Sequence, residues 1–433
     1  MIWEEAYECM PLDELYSLQT ARLKSLVKNV YEHVPFYKEL FDAHGVTPGD
    51  IRSVDDIARL PFTYKSNLRD NYPFQMFAVP IEDVIEIHAS SGTTGKPTVV
   101  AYTRNDLKLW STVMARTIAM AGAQRGDIIQ NAYGYGLFTG GLGVHYGALE
   151  LGIPVVPMSS GNTQKQLQLM HDFNTTIITC TPSYALYMAE EAKDRGIDLR
   201  ESPIRIGIFG AEPWTEQMRD KIEELWNITA LDVYGLSEII GPGVAQECIG
   251  KNGLHIYADH FYPEIIDPAT GTPVKKGNEG ELVITTLTKE ALPLIRYRTG
   301  DIVSITHEPC SACGRTLPRI SKVLGRTDDM LIIRGINVFP SQIESVLLNI
   351  KGAQPHYQLI IDREHSLDTI EVQVEVDENF FSDEIKVLEQ LQYTIKKEIE
   401  SVLSLSVKVS LVEPKTIARS MGKAKRVIDN RTL

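Results

Sequence analysis

The chain is organised around one stretch, Ser90-Ser91-Gly92-Thr93-Thr94-Gly95-Lys96-Pro97, in which four hydroxyl side chains and two glycines lead to one lysine. Glycines let backbone N–H groups turn towards an anion, because they carry no Cβ atom. Hydroxyl groups donate to phosphate oxygens, and a lysine adds a point charge. We therefore interpret the stretch as a phosphate-binding loop. Its expected nucleotide contacts are Ser90, Ser91, Gly92, Thr93, Thr94, Gly95 and Lys96.

The spacing of this loop differs from that of the Walker A motif. Walker A has about four residues between its glycines and a Ser or Thr after the lysine. Here two residues intervene and Pro97 follows the lysine. Strand-like runs flank the loop, Val84–Ile87 before it and Thr98–Tyr102 after it, so we predict a mobile hairpin with the loop at its tip. A solvated Ser/Thr/Gly turn is the alternative.

Composition bounds the class of protein. The chain has 433 residues, which exceeds one ordinary domain, and 43% of them are hydrophobic, as is typical of a globular protein with a core. The formal net charge of −14 argues against general affinity for nucleic acid or an anionic membrane surface. Any anionic ligand must therefore be met by local positive groups.

The expected compartment is the cytoplasm. Glu4 and Glu5 stand where a signal peptide carries basic residues, and no apolar run approaches the ~18 residues of a membrane span. Five cysteines are too few, and odd in number, for a disulfide framework, which fits a reducing compartment. The sequence does not determine the oligomeric state, and a homodimer is compatible with it.

The order of predicted elements indicates a layered α/β domain. Apolar residues recur at helical spacing through residues 13–45, and Thr103 is placed to cap a helix over about 104–121. Short apolar runs then alternate with helix-length segments. The predicted strands are Asp127–Ala132, Ile153–Pro157, Thr176–Cys180, Ile204–Phe209 and Ala230–Val233, and the predicted helices lie near 140–150, 164–173, 183–195 and 216–226. Strand-like runs from about 244 to 325 predict a β lobe that completes this domain.

A smaller α/β unit follows a short polar link, Gly325–Asp329. We therefore predict two domains, residues 1–326 and 327–433. In the second, four β-branched residues, Ile370, Val372, Val374 and Val376, alternate with polar ones, which indicates a strand with one buried face. The other elements predicted there are a helix from Pro340 to about Asn349, strands Gln358–Asp362 and Val407–Val412, and a helix over about 383–402.

Further motifs lie in order behind the loop: Gly210-Ala211-Glu212-Pro213, Asp232-Val233-Tyr234-Gly235-Leu236-Ser237-Glu238, Tyr297-Arg298-Thr299-Gly300-Asp301, Gly325-Arg326-Thr327-Asp328-Asp329 and Gly422-Lys423. This order resembles the superfamily of adenylate-forming enzymes, which includes acyl- and aryl-CoA synthetases, adenylation domains and luciferases. Four stretches look like the phenylacetate–coenzyme A ligases in particular: Gly210–Trp214, Asp259–Asp267, Leu287–Asp301 and Ile333–Ile343. The resemblance covers nearly the whole chain. It implies a large N-terminal adenylate-forming domain, layered α/β with a β lobe, and a small mobile C-terminal α+β domain.

Several motif residues have roles that can be stated physically. Tyr234 ends an apolar strand and is expected to offer an aromatic face to adenine, although a core tyrosine is the alternative. Glu238 is a natural Mg²⁺ ligand beside bound phosphates, and Ser237 can donate to the α-phosphate. The resemblance implies that Asp301 accepts hydrogen bonds from the ribose, where the alternative is a turn aspartate. The other expected ATP- or AMP-binding residues are Gly210, Ala211, Glu212, Pro213, Asp232, Gly235 and Arg326.

The expected chemistry places positive charge where negative charge develops. A substrate carboxylate attacks the α-phosphorus of ATP, and we expect Lys423, together with Mg²⁺ on Glu238, to stabilise that step. The CoA thiolate then attacks the acyl-adenylate, and the sequence holds no obvious base for it. The resemblance makes Asp328 the hinge about which the small domain turns between the two steps. Many superfamily members carry a lysine where this chain has Ile332, which puts a CoA contact there in doubt.

Aromatic residues among glycines suggest where the acid binds. The stretch Tyr133–Gly141 suits a flat ring against backbone, and it resembles the aryl-pocket region of phenylacetate–CoA ligases. A glycine-rich turn with core aromatics is an equally weighted alternative. The candidate pocket residues are Tyr135, Phe138, Ala211, Ile239 and Pro242.

Four residues predict a structural zinc site. Cys310 and Cys313 form a CxxC pair, and Cys248 stands seven residues before His255. Three thiolates and one imidazole make a closed tetrahedral site, which would join two β segments without taking part in catalysis. His260 is the competing fourth ligand, and unpaired surface thiols are the alternative to a metal.

The sequence therefore predicts an ATP-dependent acid–thiol ligase that joins an aryl acid, phenylacetate in the first place, to coenzyme A through an acyl-adenylate. ATP, Mg²⁺ and CoA are the expected small molecules, zinc the expected structural ion, and no nucleic acid or membrane is an expected partner. Two alternatives remain open. One is an enzyme that loads an aryl acid on a carrier-protein thiol, and the other is an inactive nucleotide-binding regulator of the same fold.

Overall fold

The computed structural model describes residues 1–89, 96–327, 330–334, 336–364, 367–377, 385–403, 405–420 and 424–431. Contacts divide the chain into two compact units. The first unit comprises Met1–Cys180, Ser202–Ala211 and Thr229–Lys322, and the second comprises Thr181–Glu201, Glu212–Ile228 and Val323–Leu433. Among the described residues, no helix combines the length and the apolar composition that a membrane span requires.

The first unit is built on a nine-stranded mixed sheet. Its parallel part has the expected βαβ order. Strands Ile129–Asn131, Ile177–Cys180, Ile206–Gly210 and Thr229–Leu236 lie side by side in parallel, and Val155–Val156 pairs with the outer side of the first. The full strand order is Ile305–Thr306, Arg319–Ile320, Leu254–Ile256, Gly241–Glu247, Thr229–Leu236, Ile206–Gly210, Ile177–Cys180, Ile129–Asn131 and Val155–Val156. The central strands are buried along their length, as parallel strands covered on both faces must be.

Helices of the first unit follow the predicted periodicity. The N-terminal run is broken in two, Leu12–His33 and Pro35–Ala43, because proline removes the backbone donor that would continue the helix. Thr103 caps the next long helix, Arg104–Met120, with its hydroxyl accepting from Asp106 N. The other helices of this unit are Glu5–Glu8, Lys65–Asp70, Gly140–Leu151 and Thr163–Asp172, with 3₁₀ turns at Pro48–Asp50, Val54–Arg59 and Ile81–Asp83.

Two smaller β structures complete the first unit. Strands Phe261–Ile266, Gly280–Thr286 and Tyr297–Val303 pair antiparallel and form the predicted β lobe. Strands Glu86–Ala89 and Val99–Tyr102 pair antiparallel in register, so the predicted hairpin on either side of the phosphate loop is confirmed. Residues 90–95, which lie between the two strands in the sequence, are outside the described residues.

The second unit holds a four-stranded sheet with helices. Its strand order is Lys408–Val412, Leu367–Val376, Ala353–Glu364 and Val427–Asp429. The predicted one-sided strand is confirmed, because Ile370, Val372, Val374 and Val376 are all buried. The helices are Pro182–Asp194, Glu216–Trp226, Pro340–Leu348 and Ile385–Leu403, with a 3₁₀ turn at Leu199–Glu201.

Four features of the second unit were not predicted from the sequence. Val427–Asp429 forms a parallel edge strand in the basic C-terminal tail. A small hairpin, Leu331–Ile333 with Ile336–Val338, precedes helix Pro340–Leu348. The contact division falls between Lys322 and Val323, and it groups two earlier helices with the C-terminal part. Gly325–Arg326 is a short strand. The predicted domain ranges, 1–326 and 327–433, stay a prediction.

Candidate active site

The carboxyl ends of two parallel strands carry the predicted nucleotide motifs. Gly210 ends strand Ile206–Gly210, and a Cβ atom there would lie 2.2 Å from Val233 O, so only glycine fits. Ala211 follows with a φ of 70°, in the left-handed region that an alanine rarely adopts. In open α/β sheets, ligands bind outside the carboxyl ends of the strands, which is where this turn lies.

Tyr234 and Asp301 meet at this sheet edge. The Tyr234 hydroxyl donates to Asp301 Oδ2 at 2.6 Å, and both side chains are largely buried. Asp301 N in turn donates to Thr299 Oγ1 at 3.1 Å. The structure thus brings together an aromatic ring and a carboxylate that the sequence had placed in separate motifs.

The chain turns sharply after Tyr234. A Cβ atom on Gly235 would lie 2.0 Å from Gly241 O, which explains the glycine. Within this turn, Ser237 Oγ lies 3.1 Å from Thr139 Oγ1, at the start of helix Gly140–Leu151. Asp232 lies two residues before Tyr234 on the same strand. It is buried, and its backbone N–H donates to Glu247 Oε2 at 2.9 Å.

Glu238 is a buried carboxylate with two polar neighbours. Its Oε1 atom lies 3.4 Å from Lys65 Nζ and accepts from Thr98 Oγ1 at 3.5 Å. Thr98 follows the phosphate loop directly, so the hairpin and this carboxylate share a site. Lys96, which belongs to the loop sequence, is exposed, and its Nζ lies 5.8 Å from the centre of the Tyr72 ring.

Glu212 belongs to the second unit and has two backbone donors. Ser183 N donates to its Oε1 atom and Ala424 N to its Oε2 atom, each at 2.8 Å. The neighbouring Pro213 is exposed and Arg326 is half-buried. Lys423 and Asp328 lie outside the described residues.

Three of the candidate acid-pocket residues lie around the first turns of helix Gly140–Leu151. A Cβ atom on Gly141 would lie 2.9 Å from the Tyr135 ring, one on Gly140 would lie 2.4 Å from the Phe138 ring, and one on Gly143 would lie 2.6 Å from the Pro242 ring. The glycines of this helix therefore make room for the surrounding rings. Ile239 is fully buried and Ala211 is half-buried.

The Tyr135 hydroxyl is held by two polar groups. Asn131 Nδ2 donates to it at 2.8 Å, and His145 Nδ1 lies 3.2 Å away. Burial raises the pKa of Tyr135 to about 12, and the hydrogen bond from Asn131 only partly offsets this effect. The phenol is therefore neutral at physiological pH.

The four predicted zinc ligands lie together. Ligand atoms of Cys248, His255, Cys310 and Cys313 are all within 4.8 Å of one another. Cys248 Sγ lies 3.8 Å from Cys310 Sγ, and Cys313 Sγ lies 3.5 Å from His255 Nε2. His260 lies elsewhere, with its Nδ1 atom 2.8 Å from Thr288 Oγ1. His255 is thus the histidine of the cluster.

Two thiols of the cluster differ in the direction of their pKa shift. A hydrogen bond between Cys248 and Cys313 raises the pKa of Cys248 and lowers that of Cys313. Arg315 supports the Cys310–Cys313 turn: it is buried, donates from Nε to Glu8 Oε2 at 2.5 Å, and Cys310 N donates to its carbonyl oxygen at 2.9 Å. Three sulfurs and one imidazole at this spacing fit the donor set of a tetrahedral zinc site.

A buried lysine lies behind the candidate active site. Lys289 Nζ is 4.3 Å from the centre of the Tyr102 ring and has no hydrogen-bond partner within the part of the chain that the structure describes. Burial lowers the pKa of Lys289 to about 8, although Asp106 and Glu238 act to raise it. Nothing in the sequence singled out Lys289 or Lys65.

Two protein-family models match the sequence of this chain. One, described as AMP-binding enzyme, matches residues 16–288, and the other, described as AMP-binding enzyme C-terminal domain, matches residues 335–431. The chain belongs to the AMP-binding enzyme family. The resemblance to adenylate-forming enzymes that the motifs indicated is thereby confirmed, and so is the fold class of a large N-terminal domain with a smaller C-terminal one.

Curated relatives narrow the class. The chain is 51% identical to the phenylacetate-coenzyme A ligase of Thermus thermophilus over 445 residues, which cover 100% of each chain. It is 51% identical to the phenylacetate-coenzyme A ligase of Escherichia coli, with 98% of this chain and 97% of the relative covered. A solved structure of 2-hydroxyisobutyryl-CoA ligase in complex with 2-HIB-AMP matches with a TM-score of 0.94 and 30% identity, over 99% of this chain and 92% of that one.

Proposed function

We propose that this protein is an AMP-forming phenylacetate–coenzyme A ligase. The observation that carries the proposal is full-length similarity, at 51% identity, to phenylacetate-coenzyme A ligases. The motifs of an adenylate-forming enzyme are present in order, and three of their side chains, Tyr234, Glu238 and Asp301, are buried at one edge of the large sheet or next to the phosphate-loop hairpin.

The reaction takes place in two steps. In the first, a carboxylate oxygen of phenylacetate attacks the α-phosphorus of ATP, the bond from that phosphorus to the bridging oxygen breaks, and pyrophosphate leaves. In the second, the sulfur of CoA attacks the carbonyl carbon of phenylacetyl-adenylate and AMP leaves. The thiol proton goes to solvent, because a thiol with a pKa near 8.5 needs no dedicated base.

Within this reaction the roles of the motif residues are proposals. Tyr234 and Asp301 would bind the adenosine, since the ring offers a stacking face and the carboxylate an acceptor for ribose hydroxyls. Ser237 and the residues of the phosphate loop would bind phosphate oxygens. Lys423 would stabilise the negative charge that develops in the first step. Asp328 would be the hinge for the movement between steps.

Two metal ions fit the residues present. Glu238 offers a buried carboxylate oxygen next to the phosphate-loop hairpin, which suits Mg²⁺ bound with ATP, where the ion would neutralise phosphate charge. Cys248, His255, Cys310 and Cys313 would hold zinc with no open position, so its role would be to join strand Leu254–Ile256 to the turn at Cys310–Cys313.

The acid would bind beside helix Gly140–Leu151. Tyr135, Phe138 and Pro242 surround glycines of its first turns, which gives a flat, apolar setting for a phenyl ring. Ala211 and Ile239 remain proposed pocket residues. Tyr135 would contribute its ring as a neutral group, because its hydroxyl is already held by Asn131.

The test is product formation by the purified protein. With ATP, Mg²⁺ and CoA, we expect AMP and an acyl-CoA from phenylacetate at a higher rate than from ring-hydroxylated phenylacetates, benzoate, indoleacetate or a medium-chain fatty acid. Lys423→Ala should lower the adenylation rate about 10²–10³-fold. Formation of AMP without acyl-CoA would favour an enzyme that loads a carrier-protein thiol. Absence of AMP formation with every acid would favour an inactive nucleotide-binding regulator of the same fold.

We also propose that the protein acts in the cytoplasm, because ATP and CoA are supplied there. We propose a homodimer as its oligomeric form, which light scattering of the purified protein would test.

A further inference from the structure

Glu190, on helix Pro182–Asp194, lies at the centre of a polar network for which the two-step reaction gives no role. Its Oε1 atom lies 2.5 Å from His356 Nε2, and its Oε2 atom accepts from Arg419 Nε at 3.0 Å. Burial opposes ionisation of Glu190, but the contacts with His356 and Arg419 outweigh it and lower its pKa. The carboxylate is therefore charged at neutral pH.

Arg419 extends the network to a second carboxylate. Its Nη1 and Nη2 atoms donate to Glu375 Oε1 and Oε2 at 2.6 and 2.8 Å, which is a bidentate pair with a buried partner. Glu375 also accepts from the backbone N–H groups of Lys415 and Ile417 at 3.0 and 2.8 Å. Residues 415–419 are thus held through both backbone and side chains.

The same segment is bound at both ends of helix Pro182–Asp194. At the last turn of the helix, Lys415 forms an ion pair with Asp194. At the first turn, Glu212 accepts from Ser183 N and from Ala424 N, so one carboxylate links the helix to the segment. Glu190 and Arg419 lie between these two points. Lys423 lies outside the described residues, but its peptide neighbour Ala424 is part of this arrangement.

We propose that Glu190 is a positioning residue for adenylation, which holds the described residues Lys415–Ser420 and Ala424 beside helix Pro182–Asp194. The proposed catalytic residue, Lys423, lies between them in the sequence, so we expect the first chemical step to depend on this contact. This inference rests on the proposed two-step function. Its consequence is that the contact is made for adenylation and not required for thioester formation. A charged carboxylate between a histidine and an arginine suits this role, since loss of one partner leaves the others buried without compensation.

The two half-reactions can be measured separately. Adenylation is followed by phenylacetate-dependent exchange of pyrophosphate into ATP, and thioester formation by release of AMP from synthetic phenylacetyl-adenylate and CoA. Glu190→Gln keeps the size of the side chain and removes its charge. We expect it to slow exchange at least about tenfold, and to leave thioester formation within about twofold of the unaltered protein or faster.

A matched control is Asp198→Asn. Asp198 also pairs with an arginine of the second unit, Arg200, but both side chains are exposed, and the structure shows no hydrogen bond or ion pair from either to the described residues Lys415–Ser420 and Ala424. We expect both half-reactions to be unchanged in this variant. Arg419→Lys is the second test variant: it keeps the charge, loses the bidentate geometry, and should give the same split if Glu190→Gln does not fold.

The outcomes separate the two claims. A fall of both half-reactions by the same factor, or no change in either, would overturn the positioning role of Glu190. Failure of the unaltered protein to carry out either half-reaction with phenylacetate would instead refute the proposed function, and with it the inference that depends on it.

Discussion

The hydroxyl of Tyr234 donates a hydrogen bond of 2.6 Å to Asp301 Oδ2, and so joins a strand of the large sheet to a strand of the β lobe. The two residues are far apart in sequence, and both lie at the edge where the nucleotide is proposed to bind. We propose that the ring face of Tyr234 and the carboxylate of Asp301 contact adenosine.

The first prediction concerns this bond. Tyr234→Phe keeps the stacking ring and removes the donor, and a hydrogen bond to a charged acceptor contributes about 1.5–3 kcal/mol. We expect a lower Tm and a rise of about three- to tenfold in the KM for ATP, with kcat changed less. The matched control is Tyr31→Phe, which removes an exposed Tyr–Asp bond of 2.7 Å and should alter neither value. An unchanged KM in Tyr234→Phe would mean that the bond has no part in binding ATP.

The second prediction ranks three substitutions by their effect on Mg²⁺ dependence. Glu238→Gln removes the proposed ligand charge and should lower kcat about 10²–10³-fold and raise the Mg²⁺ concentration for half-maximal rate. Lys65→Met removes a neighbouring cation 3.4 Å away, and we expect a loss of at most about tenfold. Lys28→Met, in an exposed ion pair, should have no effect. Equal Mg²⁺ requirements in all three would rule out Glu238 as a ligand.

The third prediction concerns the cysteine cluster. Purified protein should contain about one zinc per chain, measured by mass spectrometry of the metal, and Cys310→Ser or His255→Ala should lose it and lower the Tm, because a structural site stabilises the fold directly. Cys9→Ser and His260→Ala should keep the metal, since neither side chain belongs to the cluster. Zinc retained in His255→Ala but lost in His260→Ala would contradict the geometry.

The fourth prediction concerns pH and the buried Lys289. Its folded pKa of about 8 lies below the unfolded value of 10.5, so the unfolded chain binds more protons between these pH values and stability should rise with pH across that window. Below pH 8 the buried charge lowers stability by an amount on the order of 3 kcal/mol. Lys289→Met should therefore stabilise the protein below pH 8, with a gain that shrinks towards pH 10.5.

Urea unfolding at several pH values measures this effect. Lys397→Met is the control, because Lys397 also lies over a tyrosine ring, that of Tyr393, but is exposed. Its free energy of unfolding should change little and without this pH dependence. A Lys289→Met variant that is less stable than the original at pH 7 would show that attraction to Asp106 and Glu238 outweighs desolvation.

Much of the fold was predictable because it is encoded locally. The strands Ile177–Cys180 and Ile206–Gly210 and the helix Glu216–Trp226 were predicted within two residues of their observed ends, since continuous apolar runs and helical spacing are local properties. Thr103 was recognised as a cap for the same reason. The edge strand Val427–Asp429 was missed, because its three residues carry no periodic pattern and pair only with a strand far away in sequence.

The sequence by itself determined the family, the order of the motifs and the three cysteines of the cluster, because these depend on residue type and spacing. Only the tertiary structure decided which distant groups meet: His255 and not His260 in the cluster, Lys65 beside Glu238, Tyr234 bonded to Asp301, and Arg419 shared by Glu190 and Glu375. Such contacts join residues tens to hundreds of positions apart, and their pairing is set by how sheets and helices pack, which no local pattern specifies.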